Sequence, residues 1–301
     1  MAMAAAIAWG TFGTFSTFLG NFGLSEGTVS LVSPFCLLVF FGLFTLKSGW
    51  RHLIPKKNLA LVILLLGAIE ATFSYSTVQA YSHLPFALVS TIIYCNLFLL
   101  IILSRIIFKI AITWQKVVAV VAAVIGIALV VNVFHVQSGF NLVGFGWAAL
   151  AMVCWAALVT CEKYLLVKEM NGNAIIAWEG ILAVIFISIA VKPPLTALAE
   201  ITGAFSQNGP IVALPLLAFS LVTTVFCYFM YIHALNRLEP AFVQIAYTLD
   251  PTTSCILGLL VFGQTLQAIQ VAGIVLILVV VITVQILEHR AESTSTNAAD
   301  S

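Results

Sequence analysis

The chain has 301 residues, of which 62% are hydrophobic and 8% charged, and its formal net charge is +1. A soluble domain carries about 25% charged residues, so this composition specifies an integral membrane protein. It also excludes a nucleic-acid binder, which needs a basic stripe. The six cysteines lie inside apolar stretches without a Cys-x-x-Cys pair, which argues against both a zinc site and a disulfide framework.

Hydropathy divides the chain into ten spans, each near the ~20 residues that a bilayer requires. They run about 3–20, 28–46, 59–82, 85–108, 114–133, 141–163, 173–191, 210–236, 239–262 and 267–287. The first starts almost at Met1 and lacks the charged lead-in of a secretory signal. Connections are short. The longest joins spans seven and eight, carries Lys192, Pro193, Pro194 and Glu200, and reads as a loop. The small polar residues after Glu288 predict a disordered tail.

Basic residues orient the spans. With the N-terminus inside, Lys47, Arg51, Lys56, Lys57, Arg105, Lys109, Lys116, Lys163, Lys168, Arg237 and Arg290 all fall on the cytoplasmic side, and only Lys192 falls outside. Both termini are therefore expected in the cytoplasm, with the chain in the plasma (inner) membrane.

The halves repeat. At an offset of 154, Ala80, Leu84, Ala87 and Val89 fall on Ala234, Leu238, Ala241 and Val243, and Asn96 falls on Asp250. At an offset of 146, Trp9 falls on Trp155. Five spans per copy is an odd number, so the second copy enters the membrane from the opposite side. Such inverted repeats characterise secondary transporters, whose site lies near the midplane between halves. The expected fold is thus all-α, with ten transmembrane helices in two inverted five-helix repeats. Residues 1–133 form the first repeat, 134–287 the second, and 288–301 the cytoplasmic tail.

Local motifs carry a resemblance. Ile7-Ala8-Trp9-Gly10 opens span one, Ala80-x3-Leu84 and Ala234-x3-Leu238 close spans three and eight, Asp250-Pro251 interrupts span nine, and Phe262-Gly263-Gln264 precedes span ten. Together with the span count, these resemble the EamA-like exporters of the drug/metabolite transporter superfamily. Two departures stand out: Gln264 replaces a Glu, and Ser33-Pro34 stands where many members carry an Arg. The resemblance implies a basket of ten helices around a central cavity. It also implies movement of small metabolites, often amino acids, by alternating access.

Three acids lie deep within spans, away from their ends: Glu70 in span three, Glu179 in span seven and Asp250 in span nine. A charge at bilayer depth costs about 2.5–3.5 kcal/mol on insertion scales, so each marks a candidate site. Ser74, Thr77 and Tyr81 share the Glu70 side of span three. Pro251 removes the helical bond to the Tyr247 carbonyl and kinks span nine beside Asp250. Acids and mid-depth aromatics without an internal base suit a cation or zwitterion, through carboxylate pairing and cation–π contact. The expected substrate-binding set is Trp9, Ser74, Tyr94, Asn96, Trp155, Tyr228, Gln244, Tyr247 and Asp250, with Glu70 and Glu179 coupling protons. Packing of aromatics and helix-to-helix hydrogen bonding are the competing structural explanations.

The functional expectation is a secondary active exporter of small amino-containing metabolites, acting as a monomer or weak homodimer. No cofactor or metal is expected. The chain lacks a Walker loop, so ATP is not the direct energy source. Uptake of choline or another quaternary amine is the alternative. An intramembrane enzyme or a channel fits less well, because the spans offer no mid-depth His and no filter motif.

Overall fold

The structure is a computed structural model that describes residues 1–55, 57–84, 89, 92–130, 132, 141–262 and 267–299. The Gly263-Gln264 turn and the entry to span four lie outside these residues. Among the described residues every regular element is helical. Span one is Ala2–Asn21, bent at Gly10 between two shorter helices. Span two is Gly27–Ser48, span three Ala60–His83, span four Ile92–Phe108 and span five Trp114–Val130. Span six is Leu142–Val167, span seven Gly172–Ala190 and span eight residues 213–237. Span nine is Pro240–Tyr247 followed by Leu249–Phe262, and span ten is Ala268–Ala299.

Lipid replaces water as the solvent here, so large apolar side chains face outward and small ones face in. Leu61, Ile106, Ile189 and Leu260 are among the most exposed residues. Ala5, Ala6, Ala148, Ala151, Ala156, Ala174 and Ala177 are fully buried. Without a hydrophobic drive between helices in lipid, close backbone approach supplies the dispersion contacts that hold the bundle. Spans five and ten show this best. A Cβ added at Gly273 would stand 2.6 Å from the Val130 nitrogen and 2.8 Å from the Gly126 carbonyl oxygen.

The helix packing maps onto itself when the halves are exchanged. Spans three and six pack together, as do their counterparts eight and one. Spans four and six pair, and so do nine and one; spans three and seven pair, and so do eight and two. Three pairs are their own counterparts: two with seven, four with nine, and five with ten.

Two expectations are corrected. The stretch between spans seven and eight is a helix, Pro194–Asn208, with Pro at its first position. It buries Ala197 and Ala204 while exposing Leu195 and Leu198, which is an interfacial pattern over a helix of 15 residues. Gly209, at φ 71, ends it in a conformation that favours glycine. The tail is also helical as far as Ala299. Extending an existing helix needs no new nucleus, and its Ala and Glu residues favour continuation.

The two membrane faces are tied differently. On the face rich in Lys and Arg, Lys116 pairs with Glu239 at 2.6 Å, linking spans five and nine. Lys163 donates to the Leu235 and Leu238 carbonyls at 2.7 and 2.8 Å, satisfying the open end of span eight. On the opposite face, Glu200 of the interfacial helix accepts from Lys192 at 2.5 Å, Thr28 at 2.5 Å and Ser25 at 2.7 Å. Those donors, Lys192 first, hold the Glu200 carboxyl low, at about 2 against an ordinary 4.5. A carboxyl depressed in the folded state stabilises the fold above its ordinary pKa. Its contribution is lost as pH falls from 4.5 toward 2. Glu200→Gln is therefore expected to lower the melting temperature by a few degrees at neutral pH, and the variant should lose that part of the acid-side slope. Melting series of both proteins in detergent check this, and superimposable curves would remove the clasp from the stability account.

Candidate functional site

Spans four and nine cross near mid-depth, and each is interrupted there, at Cys95 and at Thr248. In span nine the cause is Pro251, which offers no N–H to the Tyr247 carbonyl. Tyr94 of span four fills the gap from across the repeat boundary. Its hydroxyl donates to Asp250 Oδ2 at 2.5 Å and lies 3.4 Å from the Tyr247 carbonyl oxygen. Span one closes over the same kink at Gly10, where an added Cβ would stand 2.8 Å from the Asp250 carbonyl oxygen.

Beside this couple, Trp155 Nε1 donates to Gln244 Oε1 at 3.0 Å. An indole N–H only donates, so the amide oxygen must face it. The Gln244 NH₂ then faces away and has no partner, although Gln244 is fully buried. Asn96 is also fully buried, with neither amide atom paired. Buried polar groups are normally satisfied, and leaving one open costs about 1–3 kcal/mol. Gln244 and Asn96 are thus groups with bonding capacity to spare.

An aromatic ring of rings adjoins these groups. Trp9 meets Tyr228 at 5.2 Å in a tilted contact, Tyr228 meets Tyr231 at 6.2 Å, Tyr231 meets Tyr247 at 5.5 Å, and Tyr247 returns to Trp9 at 6.0 Å. Trp155 joins edge-on to Trp9 at 6.0 Å, so the two repeat-related tryptophans touch. Phe73 extends the set, 4.9 Å from Trp155. Each such pair contributes about 0.5–1.5 kcal/mol beyond area burial.

Other intramembrane acids adjoin this ring, Glu162 through Tyr231. Glu70 is 6% exposed and its Oε1 accepts from Ser74 at 3.0 Å. Ser74 is therefore placed with the acids, not with the Asp250 couple. Glu179 is fully buried, and neither of its oxygens meets a donor group. A fourth acid, Glu162 of span six, joins them: it is 1% exposed and its Oε2 accepts from Tyr231 at 2.5 Å. Sequence reasoning did not single out Glu162, which stands next to last in span six, beside Lys163. The available signal was spacing, since Glu162 lies seven residues, two helical turns, beyond Trp155 on the same face.

Comparison with known proteins agrees with this architecture. The EamA-like transporter family matches residues 1–132 and 142–285, two successive stretches of the kind an internal duplication leaves. An uncharacterized transporter of Clostridium kluyveri is 22% identical over 224 residues, covering 71% of this chain and 68% of its own. A crystal structure of a protein superposes with a TM-score of 0.76 at 13% identity, covering 97% of both chains, which is a likeness of fold. The matched residues take in both repeats and every span, so the chain is a multi-pass membrane transporter that belongs to the EamA-like transporter family.

Proposed function

We propose that the protein is a secondary active transporter that exports small amino-containing metabolites from the cytoplasm by alternating access, coupled to protons. The basic face is the cytoplasmic one. The observation that carries this reading is the Tyr94–Asp250 couple at the crossing of spans four and nine, beside two buried amides with open capacity. Asp250 would pair with a substrate ammonium, and the Gln244 and Asn96 amides would donate to a substrate carboxylate. A zwitterion satisfies both, which a simple amine does not. Trp9, Tyr228 and Tyr247 would supply cation–π contact of about 0.5–2 kcal/mol each. That same aromatic set favours a second reading, choline uptake, in which the amides play no part.

The proton role falls to the intramembrane acids Glu70 and Glu179, with inward proton flow releasing about 2.3 kcal/mol per 100 mV. Flux into proteoliposomes tests the proposal, using a radiolabelled panel of amino acids, monoamines and choline, with and without a proton gradient. Gradient-driven flux of an amino acid supports it; saturable flux of choline alone replaces it with the second reading. Glu70→Gln is expected to abolish the pH dependence of flux while leaving substrate binding near wild type. Full pH-dependent flux in that variant would move coupling away from Glu70.

A further inference from the structure

Glu70 stands in the middle of span three, with hydroxyls on one side of it and hydrocarbon on the other. Ser74 is one turn further from the basic face and Thr77 nearly one turn more, both on the Glu70 side of the helix. The Glu70 carboxyl is 6% exposed; its Oε1 accepts from the Ser74 hydroxyl at 3.0 Å, and its Oε2 is buried without a partner. The Thr77 hydroxyl is likewise buried and unpartnered. Toward the basic face the same stripe carries Leu66 and Ile63, both buried, and Gly67 packs against Leu182. Among the described residues no Lys, Arg or His pairs with Glu70. The titratable groups whose fields reach it are Glu162 and Cys154 of span six, Glu179 of span seven and Tyr228 of span eight. None of these is a cation. An unpaired buried charge is costly, so a proton is the counter-charge open to this carboxyl.

A cavity of about 330 Å³ opens beside the hydroxyls. Ser25 and Gly27 of span two, Ser74 and Tyr75 of span three, and Ile187 and Val191 of span seven line it. Ser25 also donates to Glu200, so the cavity and the Glu200 clasp share the outer face, opposite the basic one. Ser74 lines this space, and Glu70 lies one turn behind it. A hydroxyl has one hydrogen and two lone pairs. Ser74 spends its hydrogen on Glu70, which leaves its oxygen able to accept from water in the cavity.

We propose that Ser74 is the proton port of Glu70, which in this conformation exchanges protons with the outer cavity alone. This deepens the proton-coupled reading above and rests on it for its role in transport. In loading, a hydronium ion in the cavity gives a proton to a Ser74 lone pair as the serine's own proton passes to Glu70 Oε1. One O–H bond breaks in the hydronium ion and one forms on the carboxyl. The serine ends with one hydrogen, as it began, and no electron changes hands. Unloading reverses the steps. Loading at the outer face is the sense required when proton influx drives export of a solute. Ser74 thus serves the acid, and the apolar stripe at Ile63 and Leu66 keeps the proton from leaking to the basic face along span three.

The test needs no substrate. Infrared difference spectra of the lipid-reconstituted full chain, recorded from about pH 5 to about pH 9, identify the Glu70 band as the protonated-carboxyl C=O component that Glu70→Gln removes. The rate at which that band shifts after transfer from H₂O to D₂O measures proton access. Ser74→Ala is expected to slow the shift severalfold, and Ser74→Thr, which restores a hydroxyl, to recover it. In a background without the native cysteines, Tyr75→Cys should react with a bulky, membrane-impermeant thiol reagent from the outer face only. The modified protein should then exchange as slowly as Ser74→Ala. A band that Ser74→Ala moves in frequency without slowing its exchange overturns the port, because a hydroxyl that only orients the carboxyl would do that. Absence of a Glu70 band across the window, or reaction of Tyr75→Cys from the basic face, also overturns it. If Ser74→Ala does not fold, exchange in the modified Tyr75→Cys protein decides alone. If the port behaves as expected while no amino-bearing solute is transported, the substrate assignment fails and the port stands. If an amino acid is driven by the gradient while exchange ignores Ser74, the port fails and the transporter reading stands.

Discussion

Asp250→Asn is expected to weaken binding of an amino-bearing solute by roughly 10- to 150-fold, corresponding to the ~1.5–3 kcal/mol of a hydrogen bond to a charged group. The fold should survive, because an Asn carbonyl still accepts from the Tyr94 hydroxyl that now meets Asp250 Oδ2 at 2.5 Å. Only the charge that would face a substrate ammonium is lost. Tyr94→Phe removes a neutral donor instead and leaves the charge, so its effect on affinity should be smaller. Equilibrium binding of the best solute from the flux panel, compared across the three proteins, checks both. An unchanged Kd in Asp250→Asn would separate the acid from the substrate.

Gly180→Ala is expected to be strongly destabilising. Its Cβ would stand 2.5 Å from the Leu38 nitrogen and 2.8 Å from the Pro34 carbonyl oxygen, where span seven crosses span two. Both neighbours are backbone atoms, so no side chain can rotate away. Overpacking of this kind costs about 1–3 kcal/mol, occasionally more, against a helix-propensity gain of at most ~1 kcal/mol. Gly146→Ala is the matched control. It adds the same methyl inside span six with nothing within 4 Å, and should be neutral or slightly stabilising. Melting temperatures in one detergent decide the matter, and equal values for the two variants would mean that spans two and seven part at little cost.

The sequence made the spans legible because lipid leaves a segment few options, and the odd count then dictated inversion. It also made the neighbourhood of Asp250 legible, since Pro251 can only free the Tyr247 carbonyl. Partners across the repeat boundary were not legible. Tyr94 and Asp250 are 156 positions apart, and Trp155 and Gln244 are 89 apart. Only packing brings them together. The equivalence of Trp9 and Trp155 was readable as an offset, while their edge-on contact at 6.0 Å was not. Glu162 escaped for a different reason. It stands next to last in span six, beside Lys163, which extends a long side chain toward span eight.

Exchange of the halves has a kinematic consequence. A pair that is its own counterpart, such as spans five and ten, lies on the pseudo-twofold axis and keeps its geometry when the two repeats trade conformations. Under the proposed alternating access, the Gly126–Gly273 contact would serve as a pivot common to both orientations. Pairs off the axis come in unequal couples, and under the proposed mechanism the difference between spans three–six and one–eight is the displacement that transport would reverse. The opposite-facing state is then expected to give spans one and eight the packing that three and six now have. Cross-linking distances across the two couples should change in opposite senses, while those across spans five and ten stay fixed.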